Sequence, residues 1–118
     1  MNPYHKGNLI VELSLSFAIE SVSFSNVLKE EKHFVFATQF LKAATAIGAN
    51  VREAQNAESK ADFIHKMKIA AKEANEADYW LELCSLAKGV PKSPQLKLKI
   101  TSISKILNKI ISTAKTRS

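Results

Sequence analysis

Apolar positions recur along this chain in alternating steps of four and three, the spacing that lines one face of an α-helix. Phe63, Met67, Ala70, Ala74, Ala77, Leu81 and Cys84 follow it. So do Leu96, Ile100, Ile103, Leu107, Ile110 and Ala114 and, earlier, Ala37, Phe40, Leu41, Ala44, Ile47, Val51 and Ala54. This is the seam of a left-handed bundle, and its alanines let helices approach closely. Polar residues punctuate the pattern. Asn8 caps a first helix running to about Leu28, and Lys29-Glu30-Glu31-Lys32 forms a polar connector. A second helix runs from about His33 to Ala57. Ser59-Lys60-Ala61-Asp62 is a capping box with Asp in the usual Glu position, and it opens a third helix over about 60–88. Gly89 and then Pro91 end that helix. Ser93 caps a fourth over about 94–115, with Pro94 at the first position, where a missing N–H costs nothing. Short connectors imply antiparallel neighbours. The pattern predicts one all-α domain over residues 1–118, an up-and-down four-helix bundle.

The first helix departs from a single stripe. At about 100° per residue, Leu9, Leu13, Phe17, Phe24 and Val27 share one face, while Val11, Leu15, Ala18, Ile19 and Val22 share a nearly opposite one. Ser14, Ser21 and Ser25 separate the faces on one side; Glu12, Ser16 and Ser23 separate them on the other. In the third helix Ile69, Trp80 and Leu83 lie off the main stripe by about 110°. Burying a large apolar side chain contributes ~1.5–3 kcal/mol, so leaving such faces in water forgoes up to roughly 10 kcal/mol, as much as a domain's whole stability. The pattern therefore predicts a homo-oligomer whose interface contains Val11, Leu15, Ile19, Val22 and Trp80.

Composition narrows the class without changing the fold. With 46% apolar and 24% charged residues, the 118-residue chain has the balance of a globular domain. Three Gly and three Pro are too few for a turn-rich sandwich or barrel. Cys84 is the sole cysteine, so no internal disulfide forms and a reducing, cytoplasmic setting is expected. Glu12, Ser14 and Ser16 interrupt the apolar region of any N-terminal signal, and no run approaches the roughly 20 apolar residues of a membrane span.

Charge is unevenly distributed. Residues 89–118 carry seven Lys or Arg and no acid, within a chain of net charge +6. On the fourth helix Lys97, Lys105, Lys109 and Lys115 lie away from the apolar seam, with Lys99 and Arg117 flanking. Closely spaced cations bind a polyanion by releasing its counterions. A solvated lysine face that keeps the protein soluble is the plainer reading. The stripe has no aromatic residue and almost no Arg, so contact with RNA or DNA would be directed at the backbone, not the bases.

Catalytic and metal chemistry find no foothold. A di-iron bundle needs two Glu-x-x-His motifs, and only Asp62-Phe63-Ile64-His65 has that spacing. Glu73 and Glu76, one turn apart beside Trp80, suit an interface rim better than acid–base work. No phosphate-cradling loop, nucleophile elbow or zinc spacing occurs. No catalytic residue, metal or cofactor is expected.

The middle of the chain carries a recognisable string. Ala46-Ile47-Gly48-Ala49-Asn50-Val51-Arg52-Glu53-Ala54, then Ser59-Lys60-Ala61-Asp62-Phe63-Ile64, Lys72-Glu73-Ala74 and Tyr79-Trp80-Leu81, resembles the bacterial four-helix-bundle proteins encoded by intervening sequences within 23S ribosomal RNA genes. The accessory variability proteins of diversity-generating retroelements look similar. The match is close over about residues 40–84 and weaker before residue 30. Read physically, Gly48 beside Ala49 permits close backbone approach at ~1 kcal/mol of helix propensity, and Asn50 anchors a neighbouring helix near Glu73 or Glu76. The resemblance implies a homopentameric ring with basic surfaces and an association with nucleic acid, without enzymatic activity. Retroelement members also imply a reverse transcriptase as a partner. The rival reading is a protein–protein interaction scaffold whose lysines only solubilise it.

Overall fold

The computed structural model describes residues 8–117, which form four α-helices and no strand. These are α1 (Leu9–Glu30), α2 (Phe34–Ala54), α3 (Lys60–Leu86) and α4 (Pro94–Thr116). Three of the four N-termini are capped by the residues the sequence singles out. Asn8 accepts from the Val11 N–H at 3.4 Å, Ser59 from that of Asp62 at 3.0 Å, and Ser93 from that of Leu96 at 3.3 Å. The capping box at α3 closes one residue early, because the Asp62 carboxylate accepts from the Glu58 N–H at 3.3 Å. His33 precedes α2 as a cap residue without a side-chain bond.

The helix ends shift where no strong stop signal exists. Helix α1 continues through Glu30, and the chain turns at Lys32, whose φ of 67° is left-handed. There the His33 N–H donates to the Leu28 carbonyl at 2.8 Å. Helix α2 ends at Ala54, three residues short of the expected Ala57. The N–H groups of Gln55, Asn56 and Ala57 instead donate to carbonyls three residues back, the tighter bonding of a fraying end. Helix α3 ends at Leu86, and Gly89 supplies a turn at φ 80°. The Lys92 ammonium then reaches back to the Cys84 and Ala87 carbonyls at 3.1 and 3.3 Å, satisfying acceptors that the helix leaves open.

Helix α2 packs against both α1 and α3, while α4 packs against α3 and more lightly against α1. The bundle measures 50 × 27 × 20 Å. Its core holds Phe17, Leu28, Phe40, Ile47, Met67, Leu81, Ile100 and Leu107, all essentially inaccessible. Phe40 receives Phe17 and Phe24 edge-to-face, with ring centroids 6.3 and 5.7 Å away.

The buried line of α1 is neither of the two stripes read from hydropathy. It runs through Ile10, Val11, Ser14, Phe17, Ser21, Phe24, Ser25 and Leu28, while Leu9 and Val27 face outward. The cause is size. Serines let α1 settle against the alanines of α2, and two hydroxyls keep their bonds there. Ser14 Oγ donates to the Val11 carbonyl at 3.2 Å, and Ser25 Oγ donates across to the Ala37 carbonyl at 3.2 Å. Ser21 Oγ is buried with no partner among the described residues. Gly48 lies against this seam, where an added Cβ would meet Ser14 at 3.5 Å, an ordinary contact.

Candidate nucleic-acid interface

Helix α4 positions the basic residues. Leu96, Ile100, Ile103, Leu107 and Ile111 hold it to the bundle. The last step is four residues where the sequence pattern gave three, so Ile111 is buried in place of Ile110. A straight helix drifts this way relative to a strict heptad. Ile110 is left half-buried at the edge of the core.

The structure divides the predicted stripe in two. Lys97 Nζ lies 2.5 Å from Asp78 Oδ1 on α3, and Lys99 pairs with Glu20 on α1. Both cations are thus partly neutralised by the helices beside them. Lys105, Lys109, Lys115 and Arg117 are exposed, and among the described residues none of them is ion-paired. The unopposed charge therefore sits on the C-terminal half of α4, where cations also complement the helix dipole.

A fifth cation joins from outside the helix. Lys60, at the first turn of α3, lines a groove of ≈ 420 Å³ together with Phe63, Lys109, Ile110, Ala114 and Arg117. Sequence reasoning confined to α4 missed Lys60 and Phe63. The signal lay in the short α3–α4 connector, which folds the later part of α4 back beside the start of α3.

The predicted oligomer residues also separate. Val11 is 3% exposed and belongs to the core, so it is not available to a second chain. Leu15 is half-buried and lines, with Val11, Ala18, Gly48 and Arg52, a groove of about 470 Å³ between α1 and α2. Ile19 and Val22 are 62% and 45% exposed. Trp80 is half-buried and packs edge-to-face on Phe36 at 5.7 Å and on exposed Tyr79 at 5.5 Å. Sequence reasoning overlooked Phe34 and Val35, which are 58% and 66% exposed at the start of α2.

The remaining chemistry is sparse. Among the described residues no three His, Cys, Asp or Glu side chains converge as a metal would require, and His65 is exposed. Asn50 does not reach Glu73 or Glu76: its amide donates to the Ala46 carbonyl of its own helix at 2.9 Å. Burial pushes the Cys84 thiol above its ordinary 9.0, against a smaller opposing pull from the Lys92 ammonium. Helix α1 is, by length and composition alone, apolar enough to cross a membrane, yet its serine seam is packed in the core.

The fold and its surface define a helical-bundle protein with a basic helix and an incompletely covered apolar face. The chain belongs to the 23S rRNA-intervening sequence protein family, whose model matches residues 6–109. A crystal structure of a protein of unknown function from the S23 ribosomal protein family of Bacteroides thetaiotaomicron is similar to it, with a TM-score of 0.81 and 42% identity over 86% of this chain and 97% of that one. No curated protein matches the chain.

Proposed function

We propose that this chain is a non-enzymatic, cytoplasmic component that assembles into a ring-like homo-oligomer and holds RNA or DNA by its phosphates. The observation that carries the reading is the unopposed cationic surface formed by Lys105, Lys109, Lys115 and Arg117. Lys97 has a smaller part, because Asp78 already holds it. Nothing on the exposed face of α4 reads base edges, so binding is independent of sequence. The family to which the chain belongs supports a link to ribosomal RNA loci.

Assembly follows from the outer face of α1. An antiparallel up-and-down bundle fits the bonds from Asn8 to Gln55 and from Ser25 to Ala37, which join opposite ends of α1 and α2. Such a bundle needs only the seam of α1, leaving Ile19 and Val22 for a second copy. Five copies are the number the family resemblance implies, and a reverse transcriptase is the protein partner implied by the similar retroelement proteins. Repeating the basic patch around a ring multiplies weak contacts through avidity.

Fluorescence anisotropy with labelled RNA and DNA, titrated with salt, tests the reading. Affinity is expected to fall by a log–log slope of about 0.7–0.9 per phosphate contacted. Changing Lys105, Lys109, Lys115 and Arg117 to Gln is expected to abolish most of that slope. Unchanged affinity would leave the scaffold role, with the exposed apolar face as its working surface.

A further inference from the structure

We infer that the groove between the start of α3 and the end of α4 seats an unstacked base, so that the protein prefers single-stranded nucleic acid to duplex. This rests on the reading of α4 as a phosphate-binding face and adds what that face takes. The groove has a volume of ≈ 420 Å³ and is lined by Phe63, Ile110 and Ala114 between Lys60, Lys109 and Arg117. That volume lies within the roughly 300–1,000 Å³ of sites that bury small planar ligands. Aromatic and aliphatic walls beneath a rim of cations match a nucleotide, whose base is flat and apolar on its faces and whose phosphate is anionic.

Charge at the rim is not cancelled from within. Among the described residues Lys60, Lys109 and Arg117 have no ion-pair partner. Asp62, the acid nearest Phe63 in sequence, has its carboxylate turned to the Glu58 N–H. Phe63 itself is half-buried and packed against the core, which fixes it as part of a rigid wall.

Spacing favours a strand over a free nucleotide. Lys105 and Lys109 lie one turn apart on α4, and Arg117 two turns beyond Lys109, so the cations advance in steps of about 6 Å or its double. Cations repeated along one face match the row of phosphates on a strand and not the single phosphate group of a free nucleotide. A single strand can follow these cations and turn one unstacked base into the groove beside them. A duplex keeps its bases inside and leaves the groove empty.

The test compares three labelled probes at one salt concentration: a mixed-sequence single strand, its duplex, and an abasic strand with the same number of phosphates. Wild type is expected to bind the intact single strand about ten-fold tighter than the abasic one, within the range for stacking one base on an aromatic side chain. Phe63→Leu is expected to remove that advantage without changing the salt slope, and Phe63→Tyr to retain it. Thermal unfolding followed by circular dichroism establishes that the variants are folded. Should Phe63→Leu fail to fold, the wild-type comparison of intact and abasic strands decides the question by itself. Equal binding of all three probes would overturn the groove while leaving the phosphate face standing. No binding of any probe at low salt would overturn both.

Discussion

Lys97 Nζ contacts Asp78 Oδ1 at 2.5 Å, tying the first turns of α4 to the later half of α3. The pair is about one-third exposed on each side, so it contributes little to stability, at most about 1 kcal/mol. Its larger effect is to remove one cation from the basic face. Because Asp78 already holds that cation, Lys97→Gln is expected to lower the salt slope for RNA or DNA by less than one phosphate's increment. Lys105→Gln with Lys109→Gln is expected to reduce it by about 1.4–1.8, one increment per lost phosphate contact. Anisotropy titrations of the two variants measure the difference.

Ile19 and Val22 lie outward on α1, 62% and 45% exposed among the described residues. Ile19→Glu with Val22→Glu is expected to dissociate the oligomer while keeping helical content, because the buried seam of α1 is untouched. Light scattering and far-ultraviolet circular dichroism report the two properties. Wild type remaining monomeric at tens of micromolar would end the assembly proposal.

Ser21 and Ser25 share a seam and differ in one bond. Among the described residues Ser21 Oγ is buried without a partner, whereas Ser25 Oγ donates to the Ala37 carbonyl. Ser21→Ala removes an unsatisfied hydroxyl and is expected to stabilise the fold by about 1 kcal/mol. Ser25→Ala loses a made bond, so it is expected to destabilise by about 1 kcal/mol. Urea unfolding of the pair gives both signs.

Gly48→Ala is expected to stabilise the protein by about 0.5–1 kcal/mol in the same assay. The new methyl would sit 3.5 Å from Ser14 without a clash, and alanine is the stronger helix former. An added methyl fits there, so glycine itself is not required for the close backbone approach that the sequence leads one to expect at this position.

Cys84 is buried, and burial raises its thiol pKa above 9.0. The unfolded chain releases that proton first, so the contribution to stability is full below about pH 9 and is lost as pH rises through the folded value. Unfolding free energy measured across that range is expected to decline in wild type, and the native thiol to resist thiol-specific reagents near pH 8.

Most of the architecture is legible from caps and periodicity. Asn8, Ser59 and Ser93 bear strong capping chemistry, and each starts a helix where the pattern places it. The end of α2 was not legible, because Gln55, Asn56 and Ala57 carry no stop signal and unwind through short-range bonds. The face of α1 was hidden for a different reason. Hydropathy counts Ser14, Ser21 and Ser25 as outward-facing, while packing selects them for their small volume. The basic helix was readable as a stripe, but its pairing with Asp78 and Glu20 and its groove with Phe63 depend on other helices. A wheel drawn for one helix contains neither.

The serine seam has a consequence for how this chain tolerates change over time. In most surface helices a lineage drifts freely at its polar positions and guards its apolar ones. Here larger side chains at Ser14 or Ser25 would overpack the contact with α2, whereas Ile19 and Val22 can turn polar without cost to the single chain. Mutational pressure on α1 thus runs against hydropathy: its serines are guarded alongside its buried apolar residues, while Ile19 and Val22 persist only for as long as something outside the chain selects them.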